Sequence, residues 1–149
     1  MIDGKKLRVL FLCTGNACRS QMAEGWTRHL KGDVIEPYSA GVMPSGVYPM
    51  TTEVMAEAGV DIGAQFSKHV KSVMDVPFDV VVTVCGNAAE NCPRFPGNAR
   101  VIHVPFDDPP RLALKERTKK GKLDCYRMVR DQIKAFIETL PEGLNDTGA

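Results

Sequence analysis

The chain has 149 residues, the length of one domain, and its 44% hydrophobic and 25% charged side chains are typical of a globular protein rather than a disordered or collagen-like one. Nineteen basic side chains against 18 acidic ones leave a formal net charge of +1, which argues against non-specific binding to nucleic acid or to anionic membranes. No apolar stretch approaches the roughly 18 residues of a membrane span. From the chain length we expect residues 1–149 to form a single domain.

The first half of the chain predicts two strands, each followed by a helix. Apolar runs of strand length, glycines at element ends and hydroxyl side chains at helix starts carry these predictions. In chain order they are a strand at Leu7–Leu12, a polar loop at Cys13–Ser20, a helix at about Gln21–Leu30 capped by Ser20, a strand at Val34–Ser39 ended by Gly41, and a helix from Thr51 or Thr52 to about Ala58.

The second half predicts two further strands and a long last helix. Valine-rich sequence marks the first of these strands, and apolar residues at helical spacing mark the helix. In chain order they are a strand at Asp79–Val84, a short helix at Asn87–Asn91 terminated by Pro93, a strand at Arg100–Val104, a turn at Asp107-Asp108-Pro109-Pro110, and a helix carrying Leu123, Tyr126, Ile133, Phe136, Ile137 and Leu140 on one face.

Alternating strands and helices predict an α/β fold, a four-stranded parallel sheet with helices on both faces. In such sheets, ligands bind beyond the carboxyl ends of the strands. Cys13, Cys85 and the turn Asp107-Asp108 each follow a predicted strand. We therefore expect these residues to gather at one edge of the sheet.

The five cysteines predict a cytoplasmic protein. Their number is odd, and the apolar stretch Val9–Cys13 is too short for the core of a secretory signal. In a reducing compartment, cysteines are catalytic, redox-active or metal-binding more often than they are structural.

The segment Cys13–Ser20 carries the clearest functional signal, a Cys-x5-Arg-Ser loop between a strand and a helix. Successive backbone N–H groups and the positive end of the following helix can hold an anion there. Arg19 can bind two oxygens of a tetrahedral oxyanion, and Cys13 then lies below its central atom as a nucleophilic thiolate that Ser20 stabilises by a hydrogen bond. The residues predicted to surround the oxyanion are Thr14, Gly15, Asn16, Ala17, Cys18 and Arg19.

This loop, followed by Gln21-Met22-Ala23-Glu24, resembles that of the low-molecular-weight protein tyrosine phosphatase superfamily. Within the superfamily, the sequence is most similar to the thioredoxin-coupled arsenate reductases. The similarity extends from Leu7 to about Leu140, and further motifs carry it: Tyr38-Ser39-Ala40-Gly41, Asn91-Cys92-Pro93, Phe106-Asp107-Asp108-Pro109 and Val129-Arg130-Asp131.

The resemblance implies a reaction that begins with attack by Cys13 on the oxyanion and protonation of the leaving oxygen by Asp108. Asp107 is the adjacent alternative for the acid. A phosphatase would then use water, whereas a reductase needs a second thiolate that attacks the Cys13 sulfur and releases arsenite. The loop alone does not distinguish the two.

Cys85 and Cys92 suit the reductase. Cys85 ends the strand expected beside Leu7–Leu12, and a disulfide to Cys13 requires Cα atoms within about 7 Å. Cys92 lies seven residues further on, roughly 10 Å along a helix, so we infer that the segment 86–91 unwinds when Cys85 and Cys92 join. The resemblance implies the same relay, with thioredoxin reducing the last disulfide, although glutaredoxin-coupled relatives exist. The alternative is that both thiols are packing residues.

Two other functions stay open, a low-molecular-weight phosphatase and a redox-sensing or anion-binding protein without turnover. Phosphatases of this superfamily usually carry paired tyrosines just after the Asp-Pro, and here Pro110 and Arg111 follow, which suits a small inorganic anion. Cys18 is not assigned to the relay, because superfamily phosphatases often have a cysteine there.

No cofactor or metal is expected. Some reductases of this type hold potassium beside the loop, and Asn16, Glu24 and Ser39 match part of that site. Lys68 stands where those relatives have an aspartate, and its charge would oppose a cation, so we predict no strong potassium site. A monomer is expected.

Overall fold

The computed structural model describes residues 5–86, 92, 94–95 and 97–146. They form one α/β domain around a sheet of four parallel strands in the order β2-β1-β3-β4. The strands are β1 (Leu7–Cys13), β2 (Ile35–Gly41), β3 (Val80–Thr83) and β4 (Arg100–His103). The predicted fold class is confirmed.

The described helices are α1 (Arg19–Lys31), α2 (Pro49–Glu57), α3 (Pro109–Ala113), α4 (Lys119–Glu138) and α5 (Gly143–Asp146), with a 3-10 helix at Val70–Val73. Both faces of the sheet are covered, because consecutive residues of β1 and β3, which point to opposite faces, are all buried from Val9 to Cys13 and from Val80 to Thr83. None of the described helices is both long and apolar enough to cross a membrane.

The central strand β1 places the Cys13–Ser20 loop. It pairs with β2 up to Cys13 opposite Gly41, and with β3 up to Leu12 opposite Thr83. The loop therefore begins at the carboxyl edge of the sheet, between the ends of its two neighbouring strands. This is the edge at which the alternation of strands and helices predicts a ligand site.

The helix boundaries differ from the prediction in four places. Helix α2 begins at Pro49 rather than at Thr51 or Thr52. Helix α1 begins at Arg19, and Ser20 lies inside it rather than at its N-cap, so that prediction was wrong. Pro109 begins α3 within the predicted turn. Helix α4 begins at Lys119, where the Thr118 hydroxyl accepts a hydrogen bond from Gly121 N, a start that apolar spacing from Leu123 onward does not reveal.

Two elements, the 3-10 helix and α5, were not predicted, because each is a single turn without a hydrophobic period. The predicted helix Asn87–Asn91 lies outside the described residues.

Candidate active site

The backbone of the Cys13–Ser20 loop turns its N–H groups inward. The carbonyl oxygen of a trans peptide points away from the N–H of the next residue. Four loop carbonyls accept hydrogen bonds from the segment after β2, which directs the following N–H groups to the opposite side. These bonds run from Val42 N to Cys13 O, Met43 N to Thr14 O, Ser45 N to Gly15 O and Tyr48 N to Ala17 O, at 2.8–3.2 Å.

Asn16 holds this loop conformation. Its φ is +49°, in the left-handed region that asparagine tolerates better than most residues. Its N–H points at Cys13 Sγ at 3.2 Å, its side-chain oxygen accepts from Lys68 N at 3.0 Å, and its carbonyl accepts from Gln21 Nε2 at 3.0 Å. Asn16 is fully buried. Its backbone carbonyl ties the loop to α1, and its side chain ties the loop to Lys68.

The thiol of Cys13 has a directed hydrogen-bond donor. Ser20 Oγ lies 2.9 Å from Cys13 Sγ and accepts from Asn16 Nδ2 at 2.8 Å. Because the amide donates to Ser20, the hydroxyl hydrogen is free to point at the sulfur. Ser20 therefore contacts Cys13 as predicted, and this contact explains why it does not cap α1.

Arg19 and Asp108 form an ion pair at the site. Arg19 Nη1 donates to Phe106 O at 3.0 Å, and Nη2 lies 3.5 Å from Asp108 Oδ1. The Arg19 side chain is 14% exposed, whereas that of Asp108 is 39% exposed. A fixed guanidinium beside a solvent-accessible carboxyl suits anion binding and proton transfer.

A cavity of about 290 Å³ opens above the loop and brings most of the predicted site together. Of the two candidate acids, Asp108 lines it and Asp107 does not. Its lining comprises Cys13, Thr14, Gly15, Ala17, Cys18, Arg19, Met43, Ser45, Tyr48, Asp108 and Pro110.

Three of these lining residues, Met43, Ser45 and Tyr48, were not predicted as part of the site. They follow β2, and the rule that gathers strand ends at one edge applies to β2 as it does to β1 and β3. The segment carries no acid, thiol or histidine to mark it, which is why residue chemistry alone did not single it out.

Cys85 lies at the same edge, next to the loop. Its Sγ is 3.2 Å from Thr14 Oγ1, and the residue is 5% exposed. Since Leu12 pairs with Thr83, Cys13 ends β1 beside the chain that leads from β3 to Cys85. Cys85 does not itself line the cavity.

Cys92 is half-buried and packs against the hydrophobic core. Burial raises the pKa of its thiol. The segment 87–91 that joins it to Cys85 and Gly86 lies outside the described residues, so the inferred unwinding of 86–91 stays a prediction. All five cysteines are thiols in this structure.

Cys18 lies beneath the cavity as the N-cap residue of α1, 4% exposed. Burial is the main cause that raises the pKa of its thiol to about 12, and the nearby Thr51 hydroxyl opposes this. Burial raises the pKa of Tyr126 of α4, and the nearby Cys18 adds to this.

Two of the residues that match a potassium site, Glu24 and Ser39, hydrogen-bond each other. Glu24 accepts hydrogen bonds from Ser39 Oγ at 2.5 Å and from Arg28 Nη2 at 2.6 Å. Lys68 is half-buried, and this burial lowers its pKa against the opposing charge of Glu24. Among the described residues, no three or more His, Cys, Asp or Glu side chains cluster as metal ligands would.

Fold and site together define an α/β protein that binds a tetrahedral oxyanion over a cysteine. The family model of the low molecular weight phosphotyrosine protein phosphatases matches residues 8–148, and the chain belongs to that family.

Its relatives include reductases. The chain is 45% identical over 134 residues to an arsenate reductase of Halalkalibacterium halodurans, a match that covers 90% of this chain and 94% of that protein. A solved arsenate reductase in the oxidized state is 30% identical with a TM-score of 0.72, covering 89% and 95% of the two chains. The thioredoxin-dependent arsenate reductase of Corynebacterium glutamicum is 27% identical with a TM-score of 0.68, covering 97% of this chain and 64% of that one.

Proposed function

We propose that this protein reduces arsenate to arsenite through a relay of three cysteines and that thioredoxin recycles it. The observation that carries the proposal is the contact between Thr14 Oγ1 and Cys85 Sγ at 3.2 Å, which brings a second thiol to the rim of the loop that holds Cys13. A phosphatase needs no such thiol. Similarity to arsenate reductases over 90% of the chain supports the same choice.

The first step is attack by Cys13. Its thiolate forms a bond to arsenic(V) while one arsenate oxygen leaves as water, taking a proton from Asp108. Arg19 and the inward N–H groups of the loop hold the remaining oxygens, and Ser20 hydrogen-bonds the sulfur. Arginine and amide donors fixed in advance stabilise the charge that develops on these oxygens.

The second step changes the oxidation state of arsenic. The thiolate of Cys85 attacks Cys13 Sγ, a disulfide forms, and the electron pair of the sulfur–arsenic bond leaves with arsenite. Two thiols lose two electrons in total, and arsenic(V) gains two to become arsenic(III). Thr14, whose hydroxyl contacts Cys85 Sγ, positions this second nucleophile.

The third step restores Cys13. The thiolate of Cys92 attacks Cys85 Sγ and releases Cys13, leaving a Cys85–Cys92 disulfide that thioredoxin reduces. We propose thioredoxin as the donor because a thioredoxin-dependent reductase is among the structural relatives. We propose that the cycle runs in the cytoplasm with the monomer as the working unit; the odd cysteine count and thioredoxin as the donor favour a reducing compartment.

Steady-state arsenite production tests the proposal. With thioredoxin, thioredoxin reductase and NADPH, we expect continuous turnover by the wild type and at most one turnover by Cys92→Ser. Cys125→Ser is the matched control, because Cys125 lies on α4 and does not line the cavity. This variant should cycle like the wild type. Sustained cycling by Cys92→Ser would refute the relay.

A phosphatase is the second candidate, because the loop and Asp108 can also serve phosphate ester hydrolysis. The solved tyrosine phosphatase of T. tengcongensis has 25% identity and a TM-score of 0.69 to this chain. Hydrolysis of an aryl phosphate at rates undiminished by Cys85→Ser and Cys92→Ser, with no arsenite produced by the wild type, would favour this function.

A further inference from the structure

The thiol of Cys18 is a buried nucleophilic group that the proposed relay leaves unused. Cys13 and Cys18 are 3% and 4% exposed, yet both line the cavity above the loop. They lie at the two ends of the same loop, Cys13 as the last residue of β1 and Cys18 as the N-cap residue of α1. The cavity that receives the oxyanion thus contains two thiols, one at the end of β1 and one at the start of α1.

The surroundings of Cys18 keep its thiol neutral. Burial is the main reason, and the charge of the Asp108 carboxyl adds to it by disfavouring a negative charge on the sulfur. Thr51 and Arg19 favour the thiolate, but burial outweighs both and the pKa of Cys18 is raised. Attack on arsenic(V) requires a thiolate, so Cys18 does not compete with Cys13 for arsenate at neutral pH.

We propose that Cys13 and Cys18 together form a dithiol site for trivalent arsenic in the floor of this cavity. Sulfur ligands select soft ions, whereas the backbone N–H groups and Arg19 select a hard, charged oxyanion. One cavity therefore holds two ligand sets, one for arsenic(V) and one for arsenic(III).

Binding at this site is ligand exchange without redox chemistry. Arsenous acid, As(OH)3, loses two hydroxyl groups, each of which leaves as water with the proton of one thiol. Two sulfur–arsenic bonds form, two oxygen–arsenic bonds break, and arsenic remains trivalent. The neutral thiol of Cys18 is competent for this exchange because the departing hydroxyl takes its proton.

A consequence for turnover rests on the proposed function. Arsenite released by the relay can return to the reduced enzyme, occupy Cys13 and block the next arsenate. A dithiol site holds arsenite more tightly than Cys13 alone, because the second bond forms within the molecule. Arsenite then competes with arsenate for the resting enzyme.

Arsenic K-edge absorption spectroscopy tests the site in a variant whose only thiols are Cys13 and Cys18, namely Cys85→Ser with Cys92→Ser and Cys125→Ser. The fully reduced variant is loaded with one equivalent of arsenite under anaerobic conditions. We expect two sulfur ligands and one oxygen on arsenic. One sulfur ligand, or no bound arsenic, would overturn the proposal.

Adding Cys18→Ser to this variant supplies the matched comparison. We expect one sulfur ligand and arsenite affinity lower by about tenfold or more; equal affinity in the two variants would overturn the proposal. In the chain that keeps all other cysteines, Cys18→Ser should raise the inhibition constant of arsenite in the arsenate reduction assay by a similar factor. Each inhibited rate is compared with the rate of the same variant without added arsenite. Failure of the proposed function would show instead as absent arsenite production by the wild type, and it would leave these binding results unchanged.

Discussion

At the scale of single residues, a chain of hydrogen bonds orients the donors that point at the Cys13 sulfur. Asn16 donates its side-chain amide to Ser20, Ser20 faces Cys13, and the Asn16 N–H also points at the Cys13 sulfur. Two donors therefore converge on one sulfur atom. Such bonds strengthen when the acceptor is charged, so they favour the attacking form of Cys13.

Ser20→Ala removes one of these donors. We expect the alkylation rate of Cys13 by iodoacetamide at neutral pH to fall about tenfold, the effect of one hydrogen bond to a charged group. Ser67→Ala is the control, because Ser67 Oγ donates to Gly15 O at 3.0 Å and supports the same loop without touching the sulfur. Equal rates for the two variants would show that Ser20 acts only through the loop.

The buried thiol of Cys18 should resist the same reagent. Burial raises its pKa to about 12, so below that pH the neutral, unreactive form dominates and the reactive fraction rises only as the pH approaches this value. At pH 8, with limiting iodoacetamide, peptide mapping should find Cys13 modified and Cys18 unmodified. Modification of both at similar rates would contradict this account of Cys18.

Lys68 should make the protein indifferent to potassium. The Asn16 side-chain oxygen accepts from the Lys68 N–H, and the carboxylate of Glu24 is shared by Arg28 and Ser39, which leaves a cation short of oxygen ligands. We expect equal midpoints of thermal unfolding in potassium chloride and in sodium chloride of equal concentration. A clearly higher midpoint in potassium would refute this prediction.

At the scale of elements, strand ends determine where the functional groups meet. Cys13 is the last residue of β1 and begins the loop. The segment after β2 donates hydrogen bonds to the loop carbonyls. Cys85 follows the end of β3 by two residues. At Gly41, the end of β2 approaches the loop so closely that a Cβ atom would lie 2.6 Å from Thr14 O and 2.9 Å from Asn16 N. The close approach explains why this strand ends in glycine.

Gly41→Ala should therefore disturb the loop. We expect phosphate affinity to fall about tenfold or more and the free energy of unfolding to drop by about 1–3 kcal/mol, the usual range for overpacking a rigid site. Isothermal titration with phosphate and denaturant unfolding measure the two effects. Gly86→Ala is the control, since nothing lies within 4 Å of its added Cβ, and a similar loss in both variants would exclude the steric explanation.

The elements were predictable to different degrees from the sequence. Buried strands leave apolar runs, so β1 and β3 were placed within a residue or two. Helix starts were harder, because Ser20 has the side chain of an N-cap residue but is committed to Cys13. The segment carrying Met43, Ser45 and Tyr48 acts mainly through backbone N–H groups, which every residue except proline has, and so its side chains gave no signal.

At the scale of the whole molecule, one sheet edge supports both halves of the proposed reaction. The oxyanion site needs a rigid loop, and Asn16, Gln21 and Gly41 hold it in place. The relay needs thiols that react one after another. Cys13 belongs to the loop, and Cys85 and Cys92 follow it at increasing distance along the amino-acid chain. The proposed redox reaction therefore depends on thiols added to a loop that already carries the nucleophile Cys13.

Disulfide mapping after a single turnover of Cys92→Ser tests this account most directly. The reduced variant is mixed with arsenate in the absence of thioredoxin, quenched with acid and an alkylating reagent, and digested for mass spectrometry. We predict one arsenite released per chain and one disulfide, between the peptides of Cys13 and Cys85. Arsenite release with Cys85 recovered as an alkylated thiol, or with Cys13 joined to any other cysteine, would contradict the relay.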